Sequence, residues 1–410
     1  MVIRIKKQSE ASFTRNVSFM FVVYWAVLVL WQNISASETR DTLDTIIKVV
    51  LLAGFTVFYM LRARTLNMKV LPVLLLAISL VITACTEKEL PLASVIAYAY
   101  PVLVLFLVYG LGNGLQINRS HLCSFCNCII CIVAYTVFYT ILFCQDQYRD
   151  ALGAQSAYGN ELSSFFISNH EYGMYLVAAI ISSIVCLRLR PDMGRIRKSV
   201  YIVAIALFAL NLVLTFSRTS LLGLGVFLLV YCFFETPKAR KWIVVVLVLA
   251  GVALLIFPPL NEYFYRIVLK ENNAAGRDDL NQYGLQLFKN GTLFEKIFGH
   301  GIQSTKKYFV EQLEHASAHN GYLQVLLNFG FVGCGFMVLF LLSQIVIGFR
   351  FLKVSRFVGT LSLALALCAA AMMFTNTASI FMSPIDSFFL TMFFILVPKY
   401  VRNSVRDESF

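Results

Sequence analysis

Apolar residues run along this chain in long blocks separated by short polar interruptions. Blocks of roughly membrane-spanning length, about 20 residues for a helix, cover 17–31, 45–61, 70–85, 91–111, 123–144, 172–186, 199–216, 219–234, 242–257, 330–349, 358–374 and 384–398. Hydrocarbon offers no partner to a backbone N–H or C=O, so each block predicts a helix. The expected fold is all-α: a polytopic integral membrane protein of about twelve transmembrane helices. Residues 1–257 would carry helices one to nine, and residues 321–410 helices ten to twelve with a C-terminal tail.

Between these parts, residues 258–320 form the one large interruption, about sixty residues long, and loops of that length without a function are uncommon. Inside it, 279–289 and 306–315 carry side chains at helical spacing (Leu280, Tyr283, Leu287; Tyr308, Phe309, Gln312, Leu313), and Asn290, Gly291, Gly299 and Gly301 mark turns. Two or three short amphipathic helices lying over the membrane face are expected there. A second, moderate polar segment covers 145–171. The chain shows no internal repeat and no low-complexity tract.

Composition agrees with this pattern. Apolar residues make up 59% of the chain and charged residues 14%, too little polar surface to cover a water-soluble fold. The net charge of +12 invites a nucleic-acid reading, which the positions of the charges exclude. With the N-terminus in the cytoplasm, most Lys and Arg fall on the inner side: Arg4, Lys6, Lys7 and Arg15 before the first span, Arg188, Arg190, Arg195, Arg197 and Lys198 after the sixth, and Arg350, Lys353 and Arg356 after the tenth. This is the positive-inside pattern, so both termini are expected in the cytoplasm and the 258–320 loop on the outer side of the membrane. The basic partner is then anionic lipid, not nucleic acid.

The first span, with basic residues before it and Ala36 after it, has the layout of a signal peptide, but the many later spans favour a retained helix. Cys123, Cys126, Cys128 and Cys131 superficially resemble a zinc cluster. At the start of a hydrophobic helix, four residues within nine positions cannot all face one ion, so they read as ordinary helix cysteines. The long loop contains no cysteine, and its order must come from packing.

Three places carry candidate chemistry. Arg218, in Thr215-Phe216-Ser217-Arg218-Thr219-Ser220, stands between two spans with almost no loop. A guanidinium at the membrane boundary snorkels, pairs, or holds an anion, and the amides opening the next helix also attract anions. Arg277 follows Ala274-Ala275-Gly276 at an apparent helix start, where solvation is the plainer reading. His319, in Ala318-His319-Asn320-Gly321, marks the return to the membrane. An imidazole is a natural proton acceptor at neutral pH, and a capping or structural role is the competing reading. His315 and His319 lie one helical turn apart with Glu311 nearby, a spacing that can also bind zinc.

His319-Asn320 followed by Gly330-Phe331-Val332-Gly333, with Gly299-His300-Gly301 and Gly276-Arg277 upstream, resembles the signature region of the O-antigen ligase and polymerase family of bacterial membrane glycosyltransferases. Phe216-Ser217-Arg218-Thr219-Ser220 followed by Leu221-Leu222-Gly223 resembles that family's arginine motif between two spans. The likeness covers about residues 205–350.

The resemblance implies transfer of a glycan from undecaprenyl pyrophosphate to an acceptor hydroxyl at the outer face of the inner membrane, by an inverting reaction without cofactor or metal. The acceptor would be lipid A core for a ligase, or a lipid-linked repeat unit for a polymerase, with ligase favoured by the fit of the histidine segment. Arg218 and Arg277 would hold the pyrophosphate and His319 would take the acceptor's proton, while His170, Asn320 and His300 would line the cavity. The rival classes are a lipid-linked oligosaccharide flippase or other transporter, since twelve spans are a common transporter layout, and a non-catalytic assembly protein. Against transport, the middles of the spans are nearly free of charge and the notable polar groups gather at one face.

Overall fold

A computed structural model describes residues 71–87, 91–106, 119–153, 161–166, 168–235, 274–315 and 317–376, with a few isolated positions elsewhere. The helices in these stretches are α1 (Leu71–Thr86), α2 (Leu92–Leu105), α3 (Arg119–Phe143), α4 (Gln145–Gly153), α5 (Asn169–Leu189) and α6 (Arg195–Leu214), followed by α7 (Arg218–Glu235), α8 (Ala274–Asn290), α9 (Leu293–Phe298), α10 (Ile302–Leu313), α11 (Gly321–Leu352) and α12 (Arg356–Thr375). No strand occurs among the described residues. Six of these helices, α3, α5, α6, α7, α11 and α12, are long and apolar enough to cross a membrane. The expected spans at 70–85 and 91–111 correspond to the shorter apolar α1 and α2. The expected spans at 17–31 and 242–257, and most of those at 45–61 and 384–398, lie outside the described residues.

The bundle is built around α5, most of whose residues are buried, and around α12 clasped between α7 and α11. By contrast α6 leaves Val200, Ile202, Val203, Leu210 and Val213 more than half exposed. Exposed aliphatic side chains on a long apolar helix suit contact with lipid tails.

The 258–320 interruption holds three helices among its described residues, α8, α9 and α10, where two or three were expected. Thr292 and Glu295 form a reciprocal capping box at the start of α9, satisfying two amides that a six-residue helix would otherwise leave open. A small apolar cluster of Leu280, Phe309, Ala318, Leu323 and Leu327 ties α8 and α10 to the first turns of α11.

The joint between this unit and the bundle depends on two glycines. Gly330 interrupts α11 with φ +64°, and a β-carbon there would lie 2.3 Å from the Ile297 carbonyl oxygen. Gly299, with φ +90°, would place one 2.3 Å from the Asn328 carbonyl oxygen. Two backbones therefore touch directly, at positions only glycine can occupy. The span expected to begin at Gly330 thus follows a kink in a helix that already runs from Gly321.

The other anchor is Glu87, just past α1. Its Oε1 accepts the Gln303 amide at 2.7 Å, while the Tyr98 hydroxyl accepts the Ile302 amide at 3.1 Å, so the open N-terminus of α10 is capped by α1 and α2. Burial pushes the Glu87 carboxyl above its usual value near 4.5, against the opposing effect of its hydrogen bonds to Gln303 and Tyr98. A carboxyl raised on folding favours the folded state most below its unfolded pKa, and that benefit fades as pH climbs through the folded value. Glu87→Gln keeps an acceptor oxygen and removes the titration. Its melting temperature relative to wild type should therefore rise as pH increases from about 4.5 toward neutrality, measured by thermal unfolding in detergent; a pH-independent difference would contradict this role.

Candidate functional site

The Arg218 turn is strained. Phe216 has φ +49°, a left-handed conformation rare for a bulky residue. It is held there by the Ser217 amide donating to Thr215 Oγ1 at 3.2 Å and by the Thr215 and Phe216 amides donating back into α6. Strained backbone of this kind persists where its surroundings over-determine it, commonly at functional sites. The turn lets α7 start at Arg218 with Ser217 and Ser220 buried and their hydroxyls 2.9 Å apart.

Two neighbours close on this turn. From α5, His170 places Nδ1 3.0 Å from Ser217 Oγ, and Asn169 donates to the Thr215 carbonyl at 2.9 Å. From the end of α12, Thr375 Oγ1 donates to Thr219 Oγ1 at 3.0 Å. His170 therefore belongs to the arginine turn, through a serine that precedes the arginine.

The His319 turn reaches the same end of the bundle. Gly321 sits against the Asn376 carbonyl and Met373, and the Tyr322 hydroxyl donates to the Ala370 carbonyl at 2.9 Å. The residues after His319 thus rest on the last turn of α12, one residue from the Thr375 that meets Thr219. His319 itself has φ +50° and is partly buried. Asn320 caps α11, its Oδ1 accepting the Tyr322 and Leu323 amides at 3.1 and 3.2 Å, which accounts for the asparagine at this position.

Arg277 lies in the first turns of α8, where the backbone but not the side chain is described. It precedes by three residues Leu280, which packs in the cluster containing Ala318. One helical turn thus separates Arg277 from a residue in the same cluster as His319's neighbour.

His300 goes elsewhere. Its Nδ1 lies 3.3 Å from Glu295 Oε1, it meets Tyr308 edge-on, and it lines a cavity of about 650 Å³ that includes neither Arg218 nor His319. Burial works against the charged form of Glu295, yet hydrogen bonds from Thr292 and the neighbouring His300 outweigh it and hold the carboxyl below its usual value. The His315 and His319 rings meet edge-to-face with centroids 6.0 Å apart. Among the described residues, no three His, Cys, Asp or Glu side chains gather as metal ligands.

Sequence reasoning missed Thr375 and Asn376. Their signal was a polar run, Thr375-Asn376-Thr377-Ala378-Ser379, directly after an apolar span.

The arrangement offers a fixed cation at a helix start, hydroxyls beside it, and an imidazole on an adjoining turn. No curated protein matches the chain. Residues 202–337 match the family described as O-antigen ligase, a stretch that begins in α6, ends in α11 and contains Arg218, Arg277, His300 and His319. The described residues are helical, with six helices long and apolar enough to cross a membrane, and about a third of the chain, residues 202–337, is similar to the O-antigen ligase family.

Proposed function

We propose that this protein is a glycosyltransferase that moves a glycan from undecaprenyl pyrophosphate to an acceptor hydroxyl, with lipid A core as the acceptor. The observation that carries this reading is the meeting of the Arg218 turn, the end of α12 and the His319 turn at one end of the bundle. The opposite end gathers Arg188, Arg190, Arg195, Arg350, Lys353 and Arg356, with Arg188 donating to Glu235 at 2.7 Å. The positive-inside rule supports a cytoplasmic position for that basic end, and with it a periplasmic one for the candidate site.

The chemistry follows from the groups. The acceptor oxygen attacks the anomeric carbon, and a new C–O bond forms as the bond to the pyrophosphate oxygen breaks. His319 takes the acceptor's proton and the electron pair leaves on the pyrophosphate. Arg218 and Arg277 neutralise that leaving group with permanently charged, bidentate guanidinium groups, and the N-terminal amides of α7 add to the field. Direct displacement inverts the anomeric configuration. No step calls for a metal or cofactor, so EDTA should leave the rate unchanged.

A polymerase that joins lipid-linked repeats would share the donor chemistry. Deleting the gene in a smooth strain separates the two. Loss of a ligase leaves long chains accumulated on the lipid carrier, which is the expected result; loss of a polymerase leaves single repeats on lipid A core.

A further inference from the structure

The cavity beside His300 is not part of the Arg218 and His319 site. Helix α10 divides them: Phe309 is buried in the cluster with Ala318 and Leu323, whereas Gln303, Ser304, Lys307, Tyr308 and Glu311 line the cavity. Across the cavity stand Phe294 and Glu295 of α9.

The lining selects its ligand. Phe294 and Tyr308 are 43% and 38% exposed, large rings that offer apolar faces at a polar surface. Glu295 and Glu311 supply carboxylate acceptors, and the single lysine, Lys307, lies 3.8 Å from Glu311. Two carboxylates against one neutralised lysine repel a phosphate. The same carboxylates make the cavity a poor home for an acyl chain, because desolvating them is unfavourable. His300 is only 8% exposed; its Nδ1 faces Glu295, whereas Nε2 has no hydrogen-bond partner among the described residues, and a buried polar atom left so calls for a ligand or water. A neutral, hydroxyl-rich molecule with apolar ring faces answers all of these features. The volume of about 650 Å³ falls within the ordinary range for small-molecule sites and admits about two or three sugar rings.

We propose that this cavity is a saccharide subsite that holds sugar residues remote from the bond being made. Phe294 and Tyr308 stack on ring faces, while Glu295, Glu311 and His300 exchange hydrogen bonds with hydroxyls. Which glycan it holds, donor or acceptor, rests on the glycosyltransferase reading; that it holds a saccharide does not.

The test uses the full-length protein in detergent and saturation-transfer NMR. One probe is the oligosaccharide released by mild acid from the host's lipid-linked glycan, and the other is the core oligosaccharide released from its lipopolysaccharide. The double variant Phe294→Ala, Tyr308→Ala alters exposed rings, and unchanged thermal unfolding checks its fold. We expect one probe to show transfer from the wild-type protein and to lose about tenfold in affinity in the variant, with KM for the matching full substrate raised to a similar extent and kcat little changed. Binding lost in the variant of a protein that transfers no glycan would keep the subsite and remove the enzyme reading. Probe signals that are absent, or identical in wild type and variant, would overturn the subsite even if glycan transfer proceeds normally.

Discussion

His319→Ala is expected to lower glycan transfer by about 10²- to 10⁴-fold, the usual worth of a positioned general base, with membrane levels of the protein and retention of the lipid-linked donor largely unchanged. The substitution also places alanine at φ +50°, which adds backbone strain of about 1–2 kcal/mol. His319→Asn separates these effects, because asparagine adopts left-handed conformations readily yet is no base. Both variants should lose transfer equally. Near wild-type transfer by the asparagine variant would mean that the turn needs only its backbone shape, and would take the imidazole out of the mechanism.

Arg218→Lys is the second large effect expected. It conserves charge but replaces a planar fork with a single ammonium. Hydrogen bonds to a charged group contribute about 1.5–3 kcal/mol, so the loss of one translates to roughly 10- to 100-fold in transfer. The deficit should appear with His319 intact and should be larger still for Arg218→Ala. Transfer kinetics on membranes matched for protein level would show it; a lysine variant within twofold of wild type would indicate that Arg218 merely snorkels to the interface. Ser217 and Ser220, beside Arg218 in the turn, are buried, and His170 meets Ser217 at 3.0 Å. His170 is thus placed to steady the turn through Ser217.

Much of the architecture was legible because a membrane enforces it. A backbone in hydrocarbon must satisfy its own hydrogen bonds, so hydropathy predicted the spans corresponding to α3, α5, α6, α7, α11 and α12. The helices of the 258–320 loop were legible from spacing: 279–289 lies within α8, and 306–315 overlaps α10 through Leu313. Their boundaries were less so, since the Thr292–Glu295 capping box starts α9 within a stretch read only as turns. The kink at Gly330 could not be read from hydropathy, because the apolar pattern marks where lipid begins and not where the helix does.

At the site, Arg218 and His319 stood out chemically, but what joins them did not. Thr375 lies more than 150 residues from Thr219 in sequence and meets it only because α12 packs against α7. His300 illustrates the opposite case. Its Gly-His-Gly setting grouped it with the other candidates, whereas the positive-φ glycines at 299 and 301 turn it toward Glu295 and a different cavity. Adjacent glycines signal an unusual backbone and leave the direction of the side chain open.

The central claim is that this protein joins glycans and does not carry them across the membrane. Purified protein in detergent micelles, given a defined lipid-linked donor and lipid A core, tests it most directly, because a micelle has no second side to which a transporter could deliver. The account predicts a glycan-extended lipid A core and free undecaprenyl pyrophosphate in equal amounts, both abolished by His319→Ala. Donor and acceptor recovered unchanged from that mixture, together with donor movement across the bilayer when the same protein is placed in vesicles, would contradict it.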